Sequence, residues 1–127
     1  MKKLLVFLFS ILISFNSYAD WKLIGDNVNN SDYYIDFEKI KKVDGYKYYR
    51  FLTDLFEPDQ DGDFSYVSYM QGDCKLSKIM VLSEFYYKQP MGVGKVTTNT
   101  VKNPKWIYPA PNSMNEYMLE LVCNYLK

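Results

Sequence analysis

The sequence contains no histidine and only 2 cysteines among its 127 residues. Without histidine, the chain cannot use Ser-His-Asp or Cys-His catalysis, histidine metal ligands or an imidazole pH switch. Two cysteines are too few for a thiolate metal cage. The 15 basic and 15 acidic residues balance, so the chain lacks the positive excess of a nucleic-acid binder. Composition therefore predicts no metal site, no cofactor and no nucleic-acid partner.

Long apolar runs are also scarce, and the one exception lies at the start of the chain. Lys2 and Lys3 precede an apolar run, Leu4–Phe15, and the small-x-small sequence Ser17-Tyr18-Ala19 follows it. A membrane-spanning helix needs roughly 20 apolar residues, so this run is short for an anchor. The pattern predicts an export signal at residues 1–19 that is removed after Ala19, leaving one domain at residues 20–127. An uncleaved anchor or a buried helix is the alternative.

Several expectations about location follow from this segment. No cysteine stands at the predicted processing site, so a lipid anchor on a new N-terminal cysteine is not expected. No later segment is long and apolar enough to span a membrane. The sequence therefore predicts an exported protein of the periplasm or the cell surface.

Cys74 and Cys123 both lie in the predicted mature chain. An even pair in an oxidising compartment most simply forms one structural disulfide. Free or redox-active cysteines are the alternative, although the Cys-x-x-Cys spacing typical of redox pairs is absent.

Alternating apolar and polar residues predict a β-rich domain. The alternation is clearest in Tyr46–Leu55, and Asp44-Gly45 before it is a hairpin signal. Gln71-Gly72-Asp73 is expected to turn the chain into a long strand, Cys74–Tyr87. That strand is predicted to place four apolar residues on one side: Ile79, Val81, Phe85 and Tyr87.

The C-terminal part reads as a helix. Ser113 followed by Glu116 is a capping box, which predicts a helix from Met114 to about Leu126. Its predicted apolar side comprises Met114, Met118, Leu121, Val122 and Tyr125. The fold class is thus predicted to be α+β, with a single antiparallel sheet of about five or six strands and one C-terminal helix packed on it.

The candidate binding residues are Tyr46, Tyr48 and Arg50. On a strand they point the same way and form an aromatic and guanidinium patch of a kind common at protein-binding surfaces. Cross-strand packing of the aromatic rings is the structural alternative.

Two loops resemble ligand-binding motifs incompletely. Asp59-Gln60-Asp61-Gly62-Asp63 suggests calcium, but Phe64 and Met70 occupy positions where an EF-hand needs Gly and Glu. Gly92-Val93-Gly94-Lys95 suggests a phosphate loop, but the remaining Walker positions do not fit. An acidic hairpin loop and a strand-connecting turn are the preferred interpretations, and no catalytic residue is predicted.

Taken in order, the chain resembles the surface-adhesin protein E family of Gram-negative bacteria. The resemblance is carried by the paired cysteines, the terminal helix and residues spread over the mature chain: Trp21, Ile24, Tyr34-Ile35-Asp36, Ile40-Lys41, Asp54, Ser65, Asp73-Cys74, Met91-Gly92, Gly94, Trp106, Tyr108-Pro109, Ser113, Glu116 and Cys123. It implies a sheet with the helix tied across it by a disulfide, no enzymatic activity, and binding of host extracellular-matrix proteins.

These observations lead to one expected function and one alternative. The first is a non-enzymatic exported binding module that engages a protein partner, or a second copy of itself, through a sheet face or edge. The alternative is a soluble periplasmic inhibitor or envelope-maintenance protein.

Overall fold

The structure, a computed structural model, describes residues 19–125. The predicted export signal lies outside these residues except for Ala19. Within them, no helix is long and apolar enough to cross a membrane. The elements are β1 (Lys22–Val28), β2 (Ser31–Ile35), β3 (Lys41–Val43), β4 (Tyr46–Leu55), β5 (Ser65–Asp73), β6 (Lys78–Gln89), β7 (Val93–Thr100) and α1 (Met114–Asn124).

The strands form one antiparallel sheet in the order β1-β2-β4-β5-β6-β7. The short strand β3 extends the β2 side of β4, because Ile35 of β2 pairs with Phe51 and Lys41 of β3 pairs with Tyr48. A single 3-10 turn, Phe37–Lys39, joins these two strands. The predicted α+β class is confirmed, and β3 brings the number of strands to seven in the described chain.

The two faces of the sheet differ in what covers them. On β4, Lys47 and Tyr49 point towards α1, where both are buried. Because side chains alternate along a strand, Tyr46, Tyr48 and Arg50 point to the opposite side, which we call the open face.

The hydrophobic core lies between the sheet and α1. Apolar burial is the main driving force for attaching the helix. Its buried members come from four strands, the segment after the 3-10 turn, and the helix: Ile35, Ile40, Tyr49, Met70, Ile79, Met118, Leu119 and Val122. Leu119, which was missing from the predicted apolar side, is 4% exposed, whereas the predicted Leu121 is only half-buried.

Helix α1 begins where the capping box predicts. The Ser113 hydroxyl accepts a hydrogen bond from the Glu116 N–H at 3.2 Å. Glu116 reaches back to the N–H of Asn112, at 3.0 Å, one residue before the cap. The first bond satisfies a backbone donor that the first helical turn leaves unpaired, and the second fixes the chain just before the cap.

The predicted disulfide between Cys74 and Cys123 is present. Cys74 lies in the turn between β5 and β6, and Cys123 lies in the last turn of α1. The two Cα atoms are 5.7 Å apart, within the usual range for a disulfide. The bond therefore ties the end of the helix to the end of two central strands.

The predicted turn at Gln71-Gly72-Asp73 is wrong, because β5 continues through Asp73 and the chain turns at residues 74–77. Gly72 serves a different purpose. A Cβ atom at this position would lie 2.7 Å from Cδ1 of Leu119. The glycine therefore lets the Leu119 side chain pack directly onto β5, and a larger residue would have to displace it.

The predicted common side of Ile79, Val81, Phe85 and Tyr87 is also wrong. A β-bulge shifts the register of β6, since Met70 pairs with Val81 whereas Tyr69 pairs with Ser83. An extra residue in one strand reverses the alternation beyond it. Ile79 and Val81 therefore face α1, and Phe85 and Tyr87 lie on the open face.

Candidate binding face

The three predicted binding residues lie together on the open face. Tyr46, Tyr48 and Arg50 occupy alternate positions of β4, which is a central strand of the sheet. All three side chains are partly exposed. The strand thus presents two phenol rings and one guanidinium in a row.

Aromatic contacts extend this row across neighbouring strands. The ring of Tyr48 lies 6.3 Å from that of Tyr69, and the ring of Tyr46 lies 5.4 Å from that of Trp106. The ammonium of Lys78 lies 4.9 Å from the centre of the Trp106 ring, which is cation–π geometry. We call these six residues the open-face patch: Tyr46, Tyr48, Arg50, Tyr69, Lys78 and Trp106.

Trp106 reaches the patch through a backbone contact that the sequence did not reveal. The N–H and carbonyl of Ile107 both bond to Ile79, at 2.8 and 2.9 Å. This isolated bridge fixes the irregular segment after β7 against the end of β6. Trp106 is therefore held over the ends of the strands rather than placed by its own element.

Positive charge gathers beside Arg50. A shallow depression of about 290 Å³ is lined by Lys39 of the 3-10 turn and by four residues of the sheet: Lys41, Arg50, Tyr69 and Phe85. Among residues 19–125, no carboxylate lies within 4 Å of the Arg50 guanidinium. The patch is thus an aromatic surface bordered by cations that form no ion pair with any carboxylate of the described chain.

The other half of the open face is closed by the chain itself. The turn Pro90–Gly92 packs over Leu52 and Val67, which are 0% and 4% exposed. The Gly92 N–H donates to the Ser65 hydroxyl at 2.9 Å, and the Met91 N–H donates to Asp54 Oδ1 at 2.9 Å. Because these donors are already used, the glycine-rich segment is a strand-connecting turn and not a phosphate loop.

The acidic loop brings its three carboxylates together. Oxygen atoms of Asp59, Asp61 and Asp63 lie within 4.8 Å of one another. A cation of the chain itself lies among them, because the Lys88 ammonium is 3.0 Å from Asp63 Oδ1 and donates to the Asp61 carbonyl at 2.7 Å. Hydrogen bonds from the Tyr66 hydroxyl and the Asp63 N–H hold the pKa of Asp59 below its usual value. The preferred interpretation as an acidic hairpin loop accounts for this geometry.

Four tyrosines are expected to resist ionisation in the folded protein. Burial is the main cause of the raised pKa of Tyr34, Tyr49 and Tyr66, and a hydrogen bond to Glu84 raises the pKa of Tyr86 to about 12. An unfolded tyrosine ionises near pH 10, so the folded state retains these protons where the unfolded state has lost them. Stability is therefore fully present below pH 10 and falls as the pH rises towards 12.

Absorbance at 295 nm during an alkaline titration measures this effect. Ionisation of these four tyrosines will appear as a late step in the absorbance that coincides with loss of the circular dichroism signal. Tyr86→Phe will remove part of the later step only. A single step near pH 10 with an intact fold would show that these environments are wrong.

The fold and this face define a small disulfide-bonded α+β domain whose sheet has one face covered by a helix and one partly exposed aromatic face. The profile of the family described as surface-adhesin protein E matches residues 21–124, so the chain belongs to that family. Membership places it among exported, cell-surface proteins. A search among curated proteins finds no significant match.

Solved structures share the architecture. Crystal form II of Haemophilus influenzae protein E superposes with a TM-score of 0.67 at 18% identity, covering 85% of this chain and 91% of that chain. A second structure of the same protein gives 0.61 at 17% identity, with 85% and 87% covered. Protein E from non-typeable Haemophilus influenzae gives 0.59 at 16% identity, with 84% and 78% covered. At this level of identity, the likeness demonstrates a common fold.

Proposed function

We propose that this chain is a non-enzymatic exported binding protein that engages an acidic segment of a protein partner through the open-face patch. The observation that carries the proposal is the exposed row of Tyr46, Tyr48 and Arg50, bordered by cations without carboxylate partners among the described residues. Tyrosine, tryptophan and arginine are the side chains that most often dominate binding energy at interfaces. Family membership favours a host extracellular-matrix protein as the partner.

The patch combines rigid aromatic rings with positive charge. Aromatic rings supply contact area at little conformational cost, since they have few rotatable bonds. Lys39, Lys41 and Arg50 supply a positive field that attracts an acidic segment and speeds its association. The affinity should therefore fall as the ionic strength rises.

Binding of the purified protein to immobilised extracellular-matrix proteins tests the proposal. Replacing Tyr48 and Arg50 by alanine should weaken the measured affinity by about 10-fold to 100-fold, because two anchors of the patch are lost. The matched control replaces Tyr117 and Lys95, an exposed tyrosine and lysine outside the patch, and should leave the affinity unchanged. Equal affinities of the two double variants would refute the choice of face.

The outer edge of the sheet suggests a second binding partner, which is another copy of this chain. All eight residues of β7 are exposed, and within residues 19–125 this strand pairs only with β6. An uncovered edge offers unpaired backbone groups to another strand. Light scattering on the same samples detects pairing of two copies.

Protease treatment of intact cells distinguishes a surface protein from a periplasmic inhibitor or envelope-maintenance protein.

A further inference from the structure

Asp36 is a fully buried acid with incomplete hydrogen bonding. Its side chain, 0% exposed, lies at the end of β2 beside the core residue Ile35. Oδ2 accepts one bond, from the backbone N–H of Asp20 at 3.3 Å. Oδ1 is buried and receives no hydrogen bond from any part of the chain that the structure describes.

One long bond from a neutral amide is poor compensation for a buried carboxylate. Buried charges in proteins are normally paired with an opposite charge and hydrogen-bonded on both oxygens. The nearby ion pair does not supply this charge, because Lys22 contacts the exposed carboxylate of Asp20, at 3.6 Å, instead of Asp36. The missing element is thus a cation at the end of β2.

The atom that already contacts Asp36 can become that cation. Asp20 is the residue that follows the predicted export signal. Hydrolysis of the Ala19–Asp20 bond by an endopeptidase of the signal-peptidase class adds one water molecule. The Ala19 carbonyl carbon takes the oxygen and becomes a carboxylate, and the Asp20 nitrogen takes up protons and becomes an ammonium. An α-amino group is largely protonated at neutral pH.

We propose that removal of residues 1–19 creates an N-terminal ammonium at Asp20 that forms an ion pair with the buried carboxylate of Asp36. The ammonium carries three protons in place of one, so it can serve both carboxylate oxygens as well as neutralise the charge. The pair anchors the start of β1, an edge strand, to the end of β2. Processing therefore completes the fold, and the precursor lacks this anchor.

The proposal also fixes the position of the cut. One residue of extended chain spans about 3.3 Å. Cleavage one residue earlier or later would move the ammonium by that length away from a carboxylate buried in the core. Only cleavage after Ala19 places the charged nitrogen at the contact that the structure shows.

The test starts from the full precursor, exported in a Gram-negative host so that the disulfide forms. Mass spectrometry of the processed protein should give Asp20 as the first residue, and any other first residue would overturn the proposal. A second precursor carries one glycine between Ala19 and Asp20, so that cleavage after Ala19 displaces the ammonium by one residue. We expect its melting temperature to be about 5–10 °C lower.

Asp36→Asn in both precursors is the control for the partner. If the ion pair exists, the glycine insertion should no longer change the melting temperature in the Asp36→Asn background by more than about 2 °C. An equal effect of the insertion with and without the carboxylate would refute the pairing, because the insertion would then act through strand geometry.

If Asp36→Asn does not fold, a measurement on the unaltered processed protein tests the ion pair directly. Trace labelling with acetic anhydride compares the reactivity of the α-amino group in the native and the urea-unfolded protein. An ammonium that is ion-paired with Asp36 should react at least about 10-fold more slowly in the native protein, because the neighbouring carboxylate raises its pKa. Equal reactivity in both states would overturn the proposal.

Discussion

Removal of the Cys74–Cys123 disulfide will lower the free energy of unfolding by about 4 kcal/mol. The bond joins residues that are 49 positions apart, and opening a loop of this length releases much conformational freedom in the unfolded chain. Whole domains are commonly stable by only about 5–15 kcal/mol. The protein without the bond should therefore retain little stability at 37 °C.

Urea unfolding of the wild type and of the Cys74→Ser, Cys123→Ser variant measures this loss. Reductant should destabilise the wild type to the level of the variant and should leave the variant unchanged. That comparison separates the effect of the bond from that of the serine side chains. Wild-type and variant stabilities within about 0.5 kcal/mol of each other would contradict the expectation that the bond stabilises the fold.

Replacing Lys47 by methionine will cost about 2 kcal/mol of stability. The Lys47 ammonium is buried under α1 and donates to the Val122 and Tyr125 carbonyls, at 3.0 and 2.6 Å. It meets the negative end of the helix dipole. The Val122 carbonyl also accepts from the Tyr125 N–H at 3.3 Å, and Tyr125 is the residue that caps the helix. Methionine retains the apolar stem but removes both bonds.

The desolvation of this charge acts in the opposite direction. Burial lowers the pKa of Lys47, and the neighbouring charge of Lys42 lowers it further. The two charge-assisted bonds should outweigh this cost. Lys42→Met is the matched control, because Lys42 pairs with Lys47 across β3 and β4 but is exposed. Urea unfolding should show little change for the control. Equal stability of the two variants would mean that burial cancels the bonds.

The features that the sequence predicts correctly are local ones. The helix start at Ser113 depends on contacts within three residues, and the alternation in β4 reports its two faces directly. Asp44-Gly45 forms its hairpin because both residues adopt the positive φ that this turn requires. The pairing of Cys74 with Cys123 could be predicted without knowledge of the fold, because the sequence holds no other cysteine with which either could pair.

The features that it misses depend on parts of the chain that are distant in sequence. Gly72 looks like a turn residue until Leu119 of the helix is placed against it. The bulge in β6 is invisible because one inserted residue leaves composition unchanged and reverses only the later side chains. Trp106 joins the open-face patch through the bridge between Ile79 and Ile107. Because such a contact depends on the assembled sheet, no local sequence pattern predicts it.

The separation of the helix side from the open face allows the two sides to change independently. The disulfide, the buried lysine and most of the apolar interior lie on one side, whereas Tyr48 and Arg50 lie on the other. Substitutions in the exposed row should therefore change the proposed binding surface with little loss of stability. Variants of this domain can then differ in the proposed binding surface while the helix side maintains the fold. Loops vary in the same way on the conserved scaffolds of other proteins.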